Sequence, residues 1–132
     1  VHAGRLPRAP EFERALRGSS VGTYPWGDSL REGLANLHPG GPGRIQPVGS
    51  YPKGAGPFGA LDLVGTVAEW SATRVKQGHT GRVPLVLGGS FADAADPAFL
   101  WRGVTRGQRR LGSDEPSARV GFRVAKDPPK LP

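Results

Sequence analysis

The sequence predicts a loop-rich α+β domain with one short helix, a few strands and little other regular structure. Three observations carry this. The 132 residues include 21 Gly and 14 Pro, enough to punctuate the whole chain with turns. These are interleaved with single aromatics and aliphatics, as in YPWGD, SYPKGAGPFG and LGGSF, without any simple repeat. Each turn therefore carries a ring or branched side chain to bury, which separates the chain from low-complexity disorder. Only short stretches show helical or strand periodicity, so the regular elements are few. The length suits one domain with one core.

The elements follow in order. Pro10 to Arg17 reads as a short helix: Pro10 suits the first turn, Glu11 and Glu13 sit at the positive end of the helix dipole, and Gly18 stops it. Phe12, Ala15 and Leu16 fall at i, i+3 and i+4 and form its apolar face. From Ser19 to Pro57 the chain reads as turns, with one helical turn expected at Ser29 to Leu34. Leu61 to Trp70 reads as a tight loop that leads into a strand at Glu69 to Thr73. Val83 to Phe91 is a strand candidate broken by Gly88-Gly89, with Pro84 placing its start at an edge or bulge. Arg119 to Ala125 (RVGFRVA) alternates in the manner of a half-buried strand. The expected organisation is one domain over 1–126 and an extended tail over 127–132.

Composition excludes several chemistries. With no cysteine in the chain, it can form no disulfide, zinc–thiolate site, iron–sulfur cluster or thiol nucleophile of its own. No apolar run approaches the roughly 18 residues of a membrane span. The net charge of +7 reads first as a solvated basic surface. Arg102, Arg106, Arg109 and Arg110 cluster in RGVTRGQRR, but without interleaved aromatics and without a nucleic-acid-binding motif, so nucleic acid is not the expected partner. His2, His38 and His79 lack metal-ligand spacing and read as surface residues. Asp93, Asp96 and Asp114 read as loop acids.

A series of segments occurs in fixed order: GRLPRAPEFERALRG (4–18), YPWGD (24–28), AN (35–36), PVGSYPKGAGPFGALDLVGTVAEW (47–70), LGGSF (87–91) and VGFRVAK (120–126). This series resembles the sulfatase-modifying-factor family, whose type member is the formylglycine-generating enzyme. The resemblance implies a C-type-lectin-like fold with a small antiparallel sheet, long ordered loops and bound calcium. In that family RLPxxxE lies mid-domain, so the chain reads as the C-terminal portion of the fold. The remainder would be absent or supplied by a completing chain.

The resemblance also implies a site. Asp62 and Glu69 would supply carboxylates to Ca²⁺, and Gly65 and Val67 carbonyl oxygens; two hard donors seven residues apart around a glycine suit that ion. From the spacing alone, the competing reading is that Asp62 caps a turn and Glu69 pairs with an arginine. Thr66 departs from the family's usual Asn. A second family calcium site would use Asn36 and Leu37, but the following loop, HPGGPGRIQ, has no acidic residue, so Asn36 is expected to cap a turn instead. The family's two catalytic copper-binding cysteines would fall near Asp93 and Ala98. Neither residue replaces a thiolate, so no copper and no formylglycine-generating activity are expected of this chain.

The expected function is a non-catalytic binding or structural module, calcium-stabilised, that acts by protein interaction or as a subunit of a larger assembly. A family enzyme completed by another chain is the alternative. The partner surface is expected at Phe99, Leu100, Trp101, Arg102, Arg106, Arg109 and Arg110, where aromatic and arginine anchors adjoin. The calcium reading leans towards an extracytoplasmic location. Tyr24 and Trp26 read as core packing rather than a stacking platform, and Trp70 as a core candidate.

Overall fold

A computed structural model describes residues 4–19, 22–76, 78–79, 81–94, 104–105 and 118–129. Helix α1 spans Ala9–Arg17. A single 3-10 turn covers Pro52–Gly54. Strands β1 (Ala68–Lys76), β2 (Arg82–Leu87), β3 (Val104–Thr105) and β4 (Val120–Gly121) form one sheet in the order β3-β2-β1-β4. The rest of the described chain is turns and ordered loops, as the Gly and Pro content predicts. The β1–β2 and β2–β3 pairs are antiparallel, and the edge pair β1–β4 is parallel.

The sequence signals for α1 act as expected. Glu11 Oε2 accepts the Arg8 N–H at 2.7 Å, and the Gly18 N–H closes the last turn onto Arg14 O at 2.8 Å with Gly18 at φ 62°. Phe12 and Leu16 are buried, and together with Tyr24, Leu37, Leu63, Val64, Leu85 and Leu87 they form the core. The helical turn expected at Ser29 to Leu34 does not form. Gly33 adopts φ 75°, a left-handed conformation that ends any helical run, and the segment makes a turn at Glu32-Gly33.

β2 stops at Leu87 because Gly88 and Gly89 take φ 86° and 70° and turn the chain out of the sheet. Pro84 lies where expected. β3 pairs only with Leu85 and Val86, so it does not require an N–H from Pro84, and the β1–β2 register shifts just before the Arg74–Pro84 pair. That shift leaves Ser71 to Thr73 out of the ladder with β2. Their polar groups bind the segment before the helix instead. Ala72 N–H and Ser71 Oγ–H both donate to Pro7 O, at 2.9 and 3.1 Å, and Thr73 Oγ1 accepts the Ala9 N–H at 2.8 Å. The bulge thus satisfies one of the orphan donors at the start of α1. Thr73→Val is expected to cost about 1 kcal/mol by removing that cap acceptor while keeping shape, measured by chemical denaturation.

Arg5 joins the two ends of the described chain. It pairs with Ala125 through two backbone hydrogen bonds of 3.0 and 2.8 Å, and its guanidinium donates to Glu11 at 2.6 and 2.8 Å and to Asp127 at 2.6 and 3.1 Å. The Arg5 guanidinium, helped by the Arg8 N–H, pulls the Glu11 carboxyl down to about 2, and Arg5 holds the Asp127 carboxyl below its usual range. Both folded values lie below the unfolded ones, so the folded chain binds fewer protons. The stability from this clip is therefore present above about 4.5 and lost as pH falls towards about 2. Both carboxylates are exposed, so the effect is small. The expected result is a melting temperature that falls less steeply over this window in Glu11→Gln than in the wild type.

Candidate functional site

The loop from Leu61 to Glu69 concentrates unusual backbone conformations. Asp62 and Thr66 are the non-glycine residues with positive φ among those described, at 54° and 62°, and Gly65 between them is at 79°. A β-branched residue in this region is strained, so the family's usual Asn is the easier choice at position 66. Three backbone hydrogen bonds hold the loop. Gly65 N–H donates to Gly88 O at 2.8 Å, Thr66 N–H to Asn36 O at 2.9 Å, and Phe91 N–H to Thr66 O at 3.1 Å. The GGS turn and the AN segment therefore both pin the acidic loop.

All four residues expected to bind a cation, Asp62, Gly65, Val67 and Glu69, line one open cavity of about 430 Å³. The rim adds Val48, Leu61 and Phe122, and the cavity also contains Arg123. Arg123 is the decisive side chain. Its Nε donates to Glu69 Oε2 at 2.5 Å and its Nη2 to Glu69 Oε1 at 2.7 Å. The same Nη2 lies 3.1 Å from Leu61 O and 3.0 Å from Asp62 O. The guanidinium also lies over the Phe12 ring, 5.7 Å from its centroid, which ties the site to the core.

Burial pushes the Glu69 carboxyl above the ordinary carboxylate range. Arg123 opposes this, and the charge of Asp62 adds to it. Asp62 Oδ2 accepts the Gly49 N–H at 2.6 Å and so caps the 47–50 turn. The sequence thus brings the expected donor set together, but both oxygens of Glu69 already bind a cation of the chain itself. As arranged, these residues do not fit a metal ion at Glu69, and the geometry is that of the capping-and-pairing alternative. Among the described residues no three His, Asp or Glu side chains converge to hold a metal.

Arg123 is the residue that sequence reasoning missed, and the reason is phase. The strand expected over Arg119 to Ala125 forms only at Val120–Gly121, and the alternation in RVGFRVA marks a two-faced segment whose Phe122 and Val124 face outward. Phe122 and Val124 are 68% and 56% exposed. Gly121 packs on Val67, where a Cβ would lie 3.1 Å from Val67 Cγ2, and Arg123 reaches inward to Glu69. Ionic pairing fixes the inward face here, so hydrophobicity gives the wrong side.

The chain matches the sulfatase-modifying factor enzyme 1-like domain over residues 2–128. The chain belongs to the sulfatase-modifying-factor family. It is 30% identical over 155 residues to the formylglycine-generating enzyme of Mycobacterium tuberculosis, covering 94% of this chain and 51% of that enzyme. It is also 34% identical over 134 residues to the inactive C-alpha-formylglycine-generating enzyme 2 of Bos taurus, covering 92% of this chain and 43% of that protein. Among solved structures, Treponema denticola variable protein 1 superposes with a TM-score of 0.75 at 22% identity, over 96% of this chain and 49% of that one. That likeness shows the fold, which is the one the motif order implied. The sulfatase-modifying-factor chain described here thus spans about half the length of these relatives.

The position nearest the first catalytic cysteine is structural in this family member. Asp93 Oδ2 accepts the Ser90 N–H at 2.7 Å and the Ser90 Oγ–H at 2.6 Å, closing the turn after GGS. Ala98, Asp96 and Asp114 lie outside the described residues, as do His2 and the expected partner residues Phe99, Leu100, Trp101, Arg102, Arg106, Arg109 and Arg110. His38 and His79 are exposed. Asn36 is fully buried; its Nδ2 donates to Arg44 O at 2.9 Å, which holds the following loop as a turn cap would. Tyr24 and Trp26 stack on each other at 5.4 Å and 3°, with Trp26 packed on the core, so they form no free platform. Trp70 is only half-buried and lies outside the core cluster.

Proposed function

We propose that this chain is a non-catalytic module of the sulfatase-modifying-factor family that works by contact with another polypeptide. The outward apolar edge carries this reading. Val48 is 91% exposed, and with Leu61, Phe122 and Val124 it leaves apolar side chains exposed along the rim of the cavity and the adjoining β4 segment. Exposed apolar side chains grouped in this way mark an interaction surface. Two further features agree. The chain has no thiol for the family's copper chemistry, and Glu69, Asp62 and Asp93 are each committed to holding a loop. Its likeness to an inactive family member is in keeping with this.

The test has two parts. Sedimentation velocity should show concentration-dependent association of the wild type, abolished in Phe122→Ser/Val124→Ser with its circular dichroism unchanged. A cysteine-containing peptide incubated with the chain, Cu(I) and oxygen should yield no formylglycine. Turnover of the peptide would contradict the non-catalytic reading, and identical sedimentation of wild type and variant would exclude a second copy of the chain as the polypeptide bound at this edge.

A second reading is favoured by 38% identity to the hercynine oxygenase of Mycolicibacterium smegmatis, over 81% of this chain but only 24% of that protein. In it, the chain is the scaffold portion of a family enzyme whose reactive groups come from another chain. Recovery of oxygen consumption on mixing with such a chain would select it.

A further inference from the structure

We infer that Arg123 is the resident cation of the 61–69 loop and that the loop needs no metal ion to hold its shape. The inference rests on the contacts of a single guanidinium. It binds both oxygens of a carboxylate that is 8% exposed and also takes the carbonyl oxygens of Leu61 and Asp62. A loop that carries two acids and inward-facing carbonyl oxygens repels itself unless a positive charge sits among them. A planar fork with several donors can serve an acid and two carbonyls at once, whereas an ammonium would reach fewer of them.

The Arg123 guanidinium lies over the ring of the buried Phe12, so the core holds the charge in place beside the loop. Arg123 follows β4, which pairs in parallel with the first residues of β1, Ala68 and Glu69. The strand pairing therefore delivers the cation to the acid. This differs from the calcium that the family resemblance implies, and it does not depend on the proposed interaction role. It makes the C-terminal segment, and not the solvent, the element that locks the acidic loop.

The experiment is thermal unfolding of the full chain with chelator and with calcium, together with calcium titration calorimetry at neutral pH. The wild type is expected to melt at the same temperature in both and to give no heat of calcium binding. Arg123→Gln should melt about 10 °C lower in chelator, since it strands a buried carboxylate, and should regain part of that loss when calcium is added. Arg123→Lys keeps the charge; it should lose less and gain nothing from calcium. If Arg123→Gln does not fold, Arg123→Lys and the wild type decide the matter. A calcium-dependent rise in the wild-type melting temperature, or measurable calcium binding by it, would overturn the inference.

Discussion

Gly65→Ala is expected to destabilise the chain by about 3–5 kcal/mol, and Gly59→Ala by only about 1 kcal/mol. The two glycines have nearly the same positive φ, 79° and 82°, so both substitutions incur a left-handed penalty. They differ in what a methyl group would meet. At Gly59 nothing lies within 4 Å of a Cβ. At Gly65 the Cβ would lie against the backbone of Asn36, 2.7 Å from its carbonyl carbon and 3.1 Å from its nitrogen. Backbone cannot swing aside as a side chain can. The Asn36–Gly65 bridge would therefore open, and with it the Thr66 N–H to Asn36 O hydrogen bond. Asn36 is fully buried, so its freed groups would have no water to bind. Urea unfolding of both variants separates the two costs. Equal losses at the two positions would show that the close approach of Gly65 to Asn36 does not matter.

Phe12→Ala is the second large effect, at about 3–5 kcal/mol. Phe12 is 2% exposed and sits in the core cluster. Its ring stands beneath the Arg123 guanidinium and beside Gly88, where a Cβ would lie 3.2 Å from Phe12 Cζ. Truncation would leave a cavity between α1 and the turn after β2, and would remove the ring that positions Arg123. The control is Phe122→Ala. Its ring is 68% exposed, so the loss should stay within about 0.5 kcal/mol. The contrast also tests the phase of the β4 segment. If Phe122→Ala proved as costly as Phe12→Ala, the segment would present its apolar residues to the core after all, and Arg123 would point to solvent.

How much of this was legible in the sequence varies by element. The helix was, because Phe12, Ala15 and Leu16 mark a face and Pro10 and Gly18 mark its ends. The end of β2 was legible too, since Gly88-Gly89 interrupt the strand candidate that was read on to Phe91. The convergence of Asp62, Gly65, Val67 and Glu69 on one cavity followed only from the order of the family's motifs; seven residues of spacing do not by themselves fold a loop.

Two features escaped for physical reasons. The bulge at Ser71 to Thr73 depends on Pro7 and Ala9, which lie 64 residues away from Ser71 and Thr73 and leave no local signal. The inward turn of Arg123 reverses the usual sense of an alternating strand, because Glu69, 54 residues away, outbids the apolar preference of Phe122 and Val124. An arginine between two apolar residues, in a chain where one reading of Glu69 already paired it with an arginine, is the signal that could have exposed it.

The most direct test of this account is to observe the Arg123–Glu69 contact itself. In a ¹⁵N-labelled chain, the Arg123 Nε–H resonance should be resolved and protected from exchange at neutral pH in the presence of chelator. It should vanish from that position in Glu69→Gln and stay in place when calcium is added to the wild type. A resonance that exchanges freely in chelator, or one that calcium displaces, would contradict the account and return the acidic loop to a metal ion.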